Sequence, residues 1–263
     1  MEIELNLTQS VEENAGHYFE LAKKAKKKAA GARKALEETK KKLEQLQKEE
    51  SKFLAEEAQK QKLKELQQSR KREWYEKFHW FISSEGFLCI GGKDATSNEM
   101  IIKKHLDKDD LVFHTNMAGS PFFIVKNGQS AGKETLDETA QATAVYSRAW
   151  KLGHTTTEVF YVKPEQVSKE AKPGEFIQKG SFMIYGKTNY LHPHLEYAIG
   201  FLDGQIIGGP IQAVKSKTKN YIVVIMGREK KSDLAKKIRH KLGGGDLDDI
   251  IAFLPAGGGE LKK

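Results

Sequence analysis

One cysteine, six prolines and no long apolar run set the limits of this 263-residue chain. The single thiol, Cys89, excludes an intrachain disulfide framework and a cysteine-based metal site. It lies in the apolar run Phe87–Ile90 and reads as a small buried hydrophobe in a protein kept in a reducing cytoplasm. No stretch reaches the roughly 18 apolar residues of a membrane span, and no signal-peptide pattern opens the sequence. We therefore expect a soluble, cytoplasmic protein with no membrane partner. Breakers are missing from the first third: the first proline is Pro121, and Gly16 and Gly31 are the only glycines before Gly86. That absence predicts a long helical segment.

Acidic residues are also scarce where basic ones crowd. Residues 21–72 hold 18 Lys/Arg against 8 Asp/Glu, a local charge of +10. The whole chain carries +8, so the remainder is −2 and the basic character belongs to one segment. Within it, Lys23, Lys24, Lys26, Lys27, Lys28, Arg33 and Lys34 form an acid-free run, suited to the phosphates of a nucleic acid or to solvation of a helix face. Ser10 followed by Glu13 has capping-box spacing, with residues 2–7 as a short strand or extended lead-in. Leu36, Leu43, Leu46 and Phe53 follow a heptad seam that Leu63 and Leu66 leave. That loss of phase predicts a reversal between 47 and 60 and an antiparallel coiled-coil hairpin; an intermolecular coiled coil is the alternative.

The aromatic stretch Trp74–Phe81 reads as a helical plug, with Trp74, Phe78 and Phe81 on one face and His79 at the rim. Beyond it the pattern is mixed. Strands are expected at Phe87–Ile90, Leu111–Phe113, Pro121–Val125, Glu158–Val162 and Phe182–Gly186, then an antiparallel meander over Tyr197–Phe201, Gln205–Val214 and Tyr221–Met226. Helices are expected from a Ser97 or Asn98 cap to Leu106, from Thr135 or Asp137 to Lys151, from Ser232 to Leu242 and over Asp246–Leu254, with a loose glycine-rich tail. The fold class is α+β.

Candidate chemistry concentrates in two loops that follow the first two strands. Gly91, Gly92, Lys93, Asp94 and Asn98 occupy one, and His114, Gly119 and Ser120 the other. Glycines admit close backbone approach, while exposed amides and lysines favour anions. Lys93, Asn98, Lys103, His114, Gly119, Ser120 and Lys126 are the candidate RNA or phosphate contacts here, and Asp94 and Glu99 the residues that order the loop. Lys187, Asn189 and Tyr190 form a second candidate contact, since lysine beside a stacking ring suits single-stranded RNA; a tight turn with a packed tyrosine is the plainer reading. His192–Pro193–His194 has no third ligand nearby and is read as a turn, with no metal expected. Lys230, Lys231, Lys236, Lys237 and Arg239 make a second basic surface, facing RNA or solvent.

An ordered set of motifs then carries a resemblance. Glu76–Lys77–Phe78, Trp80–Glu85, Gly91–Asp94, Ser97–Glu99, His114, Gly119–Ser120, Val125–Lys126 and Tyr146–Trp150 come first. Val167–Lys169, Pro173–Glu175, Gly180–Ile184 and Gly186–Tyr190 follow. The series resembles the C-terminal RNA-binding (NFACT-R) domain of the NFACT family of ribosome-quality-control factors, and the basic segment resembles that family's coiled-coil middle region. The resemblance implies a coiled-coil arm over residues 1–75 and a globular domain over 76–263, in which 76–190 is the family core and 191–263 an archaeal-type C-terminal extension. It implies binding to large ribosomal subunits obstructed by tRNA, with rRNA, a stalk-base protein and tRNA as partners, no cofactor and no enzymatic activity. The family's N-terminal NFACT-N domain has no counterpart here, so tailing of stalled chains is not carried over. Four positions depart from the family pattern. Lys93 stands where arginine is usual, Asn116 and Ala118 replace an acid and a His or Pro, and Thr188 replaces a basic residue. A phosphate-site enzyme using His114 and Asp94, and a protein-binding coiled-coil adaptor, are the alternative classes.

Overall fold

The computed structural model describes residues 3–69, 73–170 and 178–262. Its backbone divides into two compact units that meet at Ser69/Arg70. The first is dominated by a single helix, α1, Val11–Ser69, 59 residues long. Its start is the expected capping box: the Glu13 amide donates to Ser10 Oγ at 3.2 Å, and the Ser10 amide to the Glu13 carboxylate at 2.8 Å. The lead-in adds a second lock, because the Tyr18 hydroxyl donates to the Glu4 carbonyl at 2.6 Å.

The expected reversal between 47 and 60 does not occur. Between Gly31 and Ser69 the sequence has no glycine or proline and consists mostly of good helix formers, so nothing breaks the backbone where the apolar seam fades. Fading of a seam marks the end of a sticky face rather than the end of a helix. Leu36, Leu43, Leu46 and Phe53 remain exposed along that face.

The second unit is α+β. After a 3₁₀ turn at Trp74–Lys77 the chain forms β1 (His79–Ile82), β2 (Leu88–Gly91), α2 (Ala95–Lys104), β3 (Leu111–Thr115), β4 (Phe123–Val125), α3 (Lys133–Val145) and α4 (Arg148–Leu152). There follow β5 (Val159–Val162), β6 (Val167–Ser168), β7 (Met183–Ile184), β8 (Asn189–Leu191), β9 (Glu196–Leu202), β10 (Gln205–Gly209) and α5 (Ile211–Lys215). The chain closes with β11 (Tyr221–Glu229), α6 (Lys231–Leu242), α7 (Leu247–Phe253) and β12 (Gly259–Leu261). A six-stranded sheet runs β1-β2-β4-β3-β5-β8, a four-stranded sheet β10-β9-β11-β12, and β6 and β7 form a small ribbon. All the strand pairs are antiparallel.

Several element boundaries differ from expectation for local reasons. The aromatic stretch is a 3₁₀ turn followed by a strand, since alternation of Trp80 and Phe81 against the paired strand β2 outweighs the helical spacing. Asp94, not Ser97 or Asn98, caps α2: its carboxylate accepts from the Ser97 amide at 2.7 Å. The helix expected up to Lys151 is split, because Ser147 Oγ accepts from the Ala149 amide at 3.1 Å and starts α4 afresh. Neither Thr135 nor Asp137 caps α3; Glu85, from the β1–β2 turn, accepts from the Thr135 amide at 2.9 Å instead. Residues 211–215 are helical rather than the end of a strand, following Pro210, and α6 begins at Lys231 with no side-chain cap from Ser232. Asp246 does cap α7, accepting from the Asp248 amide at 2.8 Å. The glycine-rich tail is not loose, for β12 pairs with β11. The motif Pro173–Gly174–Glu175 lies outside the described residues.

Residues 191–263 are integral to the fold. Leu195, Tyr197, Ile199, Leu234, Ile238 and Ile250 share one buried core with Phe81, Phe113, Phe123 and Trp150. Polar ties reinforce it: Trp150 Nε1 donates to the Gly258 carbonyl at 2.9 Å, and the Tyr146 hydroxyl lies 2.6 Å from that of Tyr197. Cys89 is fully buried in this core, and burial pushes its thiol pKa up to about 12, as expected of a thiol serving only as a hydrophobe.

One ion cluster fixes the β4 end away from the loop pair. Lys126 Nζ contacts Asp107 and Asp110, each at 2.6 Å, and the His105 carbonyl at 2.8 Å. Asp110 is 0 % exposed and also accepts from the amides of Asp107 and Asn127. We expect Lys126→Met, which leaves that carboxylate buried without its cation, to cost about 3–5 kcal/mol in urea unfolding. Asp107→Asn, at an exposed partner, should leave the urea midpoint almost unchanged.

Candidate nucleic-acid interface

The ends of β2 and β3 and the starts of β1, β4 and β5 lie at one end of the large sheet, because antiparallel register places Gly91 opposite His79 and Phe123, and Thr115 opposite Val159. The two glycine-bearing loops therefore meet there, around a cleft of about 840 Å³. Asn98 holds them together. It is 7 % exposed, its carboxamide nitrogen donates to the Ser120 carbonyl at 3.3 Å, and its oxygen accepts from the Phe122 amide at 3.0 Å. Gly92 must be glycine for this strap to fit, since a Cβ there would overlap the Asn98 carboxamide.

The candidate contacts separate into those the cleft gathers and those it does not. Lys93, Asn98, His114, Gly119 and Ser120 line it. Of these, Asn98 and Ser120 spend their polar atoms internally; Ser120 Oγ donates to the Met117 carbonyl at 2.8 Å and lies 2.5 Å from Thr115 Oγ1. Asp94 is engaged in capping α2, and the Ser97 amide and hydroxyl hold its carboxyl below the usual range. Lys103 is away from the cleft in the last turn of α2, paired with Glu99 at 2.6 Å. Lys126 serves the buried cluster described above and has no reach to the cleft lining.

Lys187, Asn189 and Tyr190 lie at the sheet edge formed by β8, not in the cleft, yet register connects them to it. His114 stands opposite Phe160, and Phe160 opposite Tyr190. The rings of Phe122, His114, Phe160 and Tyr190 thus form a row, with centroid separations of 4.0, 6.0 and 6.2 Å. The row ends at Tyr190, which is 48 % exposed. An exposed tyrosine at the end of a ring row, with the exposed Lys187 nearby in sequence, offers a stacking surface that accepts any base.

Three cleft residues fall outside the sequence expectations. His79 is not at a rim; its ring stacks on Tyr146 at 3.7 Å and lines the cleft. Lys231 lines it too, with its Nζ donating to the Leu254 carbonyl at 2.6 Å, and Lys179 joins from the loop before β7. Reading β1 as a strand would have placed His79 one step from the β2 loop; the helical reading hid it. Lys231 looked like one of several surface lysines, and only the return of α6 and α7 onto the sheet end sets it apart.

The electrostatics follow from this enclosure. Among the described residues, Lys93, Lys179 and Lys231 line the cleft against a single carboxylate, Asp94. Burial lowers the pKa of both Lys93 and Lys231. Burial takes His114 down to about 4, with backbone hydrogen bonds at Ser120 and Thr115 opposing the shift. His79 falls to about 3, through burial first and then the charges of Lys93 and Lys231. Both imidazoles are neutral near pH 7. An acid–base pair of His114 with Asp94 has poor support in this arrangement, as the carboxylate is occupied and the imidazole resists protonation.

Fold and cleft define the class of the globular unit: an α+β domain with a cationic, aromatic-walled cleft at one sheet end. Residues 77–186 match the NFACT protein RNA binding domain. Over 202 residues the chain is 39 % identical to the archaeal Rqc2 homolog aRqcH of Methanocaldococcus jannaschii, covering 74 % of this chain and 30 % of that protein. It is 38 % identical over 196 residues to the human ribosome quality control complex subunit NEMF, covering 72 % and 17 % respectively. Ribosome quality control complex subunit 2 of Schizosaccharomyces pombe is 35 % identical over 198 residues, covering 73 % and 18 %. The chain belongs to the NFACT family, in its archaeal form. It spans less than a third of the length of these relatives. Among the described residues, no helix is long and apolar enough to cross a membrane, and no cluster of side chains suits a metal ion.

The buried neutral histidines make acid stability testable. Each binds a proton freely only after unfolding, so its contribution is whole above about pH 6.5 and is lost as pH falls towards about 4 for His114 and about 3 for His79. The urea midpoint should drop between pH 7.5 and 5, and the doubly substituted His79→Phe, His114→Phe protein should show a clearly flatter profile. Identical profiles would contradict the assigned burial.

Proposed function

We propose that this chain is the RNA-binding part of a cytoplasmic, ribosome-associated quality-control factor that recognises large ribosomal subunits obstructed by tRNA. The observation that carries the reading is the row of rings leading from a lysine-lined cleft to the exposed Tyr190. Cations neutralise phosphates while ring faces take up unpaired bases, which is the usual division of labour in single-strand recognition. The relatives' names, all referring to ribosome quality control or to Rqc2, support the setting. The partners in this reading are rRNA, tRNA and a protein at the stalk base. Binding, not catalysis, is its activity.

The helix α1 supplies the second contact. Lys23 lies 3.7 Å from Glu20, whereas Lys24, Lys26, Lys27, Lys28, Arg33 and Lys34 have no ion-pair partner among the described residues. Unpaired, solvent-facing cations at this density fit a duplex or rRNA backbone better than a protein-only contact. The test is co-sedimentation with large ribosomal subunits over a series of salt concentrations. Binding should weaken steeply with salt, and Lys24→Glu with Lys27→Glu and Lys34→Glu should reduce the log–log slope by about 2–3. Failure to bind subunits or tRNA even at low salt would reject the reading.

A further inference from the structure

We propose that the β1 end of the cleft is a site for one unpaired nucleotide, its phosphate seated between Lys93 and Lys231 beside His79. This rests on the RNA-binding reading and names what the cleft takes. Three features of the geometry converge on it.

The first is an excess of positive charge. Lys93 and Lys231 both act on His79, and among the described lining residues a single carboxylate, Asp94, stands against Lys93, Lys179 and Lys231. Neither lysine has an ion-pair partner among the described residues. Cations outnumbering the one described carboxylate around a neutral imidazole form an arrangement that a bound anion relieves. The second is positioning. Lys231 is fixed by its bond to the Leu254 carbonyl, which leaves further Nζ protons for a ligand, and His79 is held flat on Tyr146. The Tyr146 ring is in turn pinned through its hydroxyl, which donates to the Phe253 carbonyl at 2.7 Å. A neutral imidazole retains one donor and one acceptor, suited to a phosphate oxygen or a ribose hydroxyl.

The third is the rest of the lining. Ile251, Leu254 and Ala256 bring apolar surface to the same cleft, the kind of wall that accepts a base or sugar face. His79, from β1, and His114, from β3, line the same cleft at this sheet end. A strand stacked on the exposed Tyr190 can pass a nucleotide to the cleft. Lys231 lies outside the matched residues 77–186, so the site draws on the C-terminal part of the chain.

The experiment is NMR of the His79 imidazole in the full chain, titrated separately with 5′-AMP, inorganic phosphate and adenosine. We expect 5′-AMP to bind and move the His79 signals, with adenosine and phosphate each at least about tenfold weaker. The His79 pKa should rise from about 3 on binding, because the anion offsets Lys93 and Lys231, the two cations acting on that ring beside Tyr146. Lys93→Met, at an exposed side chain without an internal bond, should weaken 5′-AMP about tenfold while leaving the fold intact. Phosphate binding as tightly as 5′-AMP would reduce the site to an anion site and overturn the nucleotide assignment. No response of His79 to 5′-AMP in a chain that still binds RNA would overturn the proposal alone; loss of both would take the RNA-binding reading with it.

Discussion

A buried carboxamide decides the shape of the functional end of this protein. Asn98 donates to one loop residue and accepts from another, and through these two bonds the loop after β2 and the loop after β3 become one wall. An amide satisfied on both atoms in a dry setting is directional, and the loss of either bond would leave a polar group buried without a partner. Gly92 makes room for it, and the Asp94–Ser97 capping box sets the helix from which it projects. The joined wall of the cleft and the setting of Lys93 follow from that strap.

Burial and charge then act in the same direction. α6 and α7, returning from the C-terminal part, bring Lys231 and apolar side chains to the cleft that Lys93 also lines, and burial keeps His79 and His114 neutral. Carboxylates that might have balanced those lysines are used elsewhere: Glu99 with Lys103, Asp107 and Asp110 with Lys126, Glu85 on the α3 amides. The cleft is cationic because its anions have structural employment. Cation pairs left open in this way suit a ligand that brings its own negative charge.

Much of this was legible from residues alone. The two loops, the α+β class, the Ser10–Glu13 box and the last short helix follow from local chemistry that tertiary structure did not override. The hairpin was misread because a heptad seam reports stickiness, whereas helix continuity depends on breakers, and there are none after Gly31. His79 was misread because five aromatics in eight residues satisfy helical and strand spacing together, and only pairing with β2 decides between them. Lys231 and the pairing of the glycine-rich tail were illegible for a different reason. Both depend on contacts across more than twenty residues of chain, and no local pattern encodes such a return. Lys126 shows the converse, a lysine with the right motif whose charge is spent on an aspartate fully hidden from solvent.

In the proposed complex RNA lies in the cleft and on the exposed ring of Tyr190. Ultraviolet crosslinking of the full chain to single-stranded RNA, with the modified residues mapped by mass spectrometry, tests it most directly. The account predicts crosslinks at Tyr190 and at cleft residues such as Phe182 and His114, lost when a competing single strand is added. Crosslinks confined to α1, with the sheet end untouched, would contradict it.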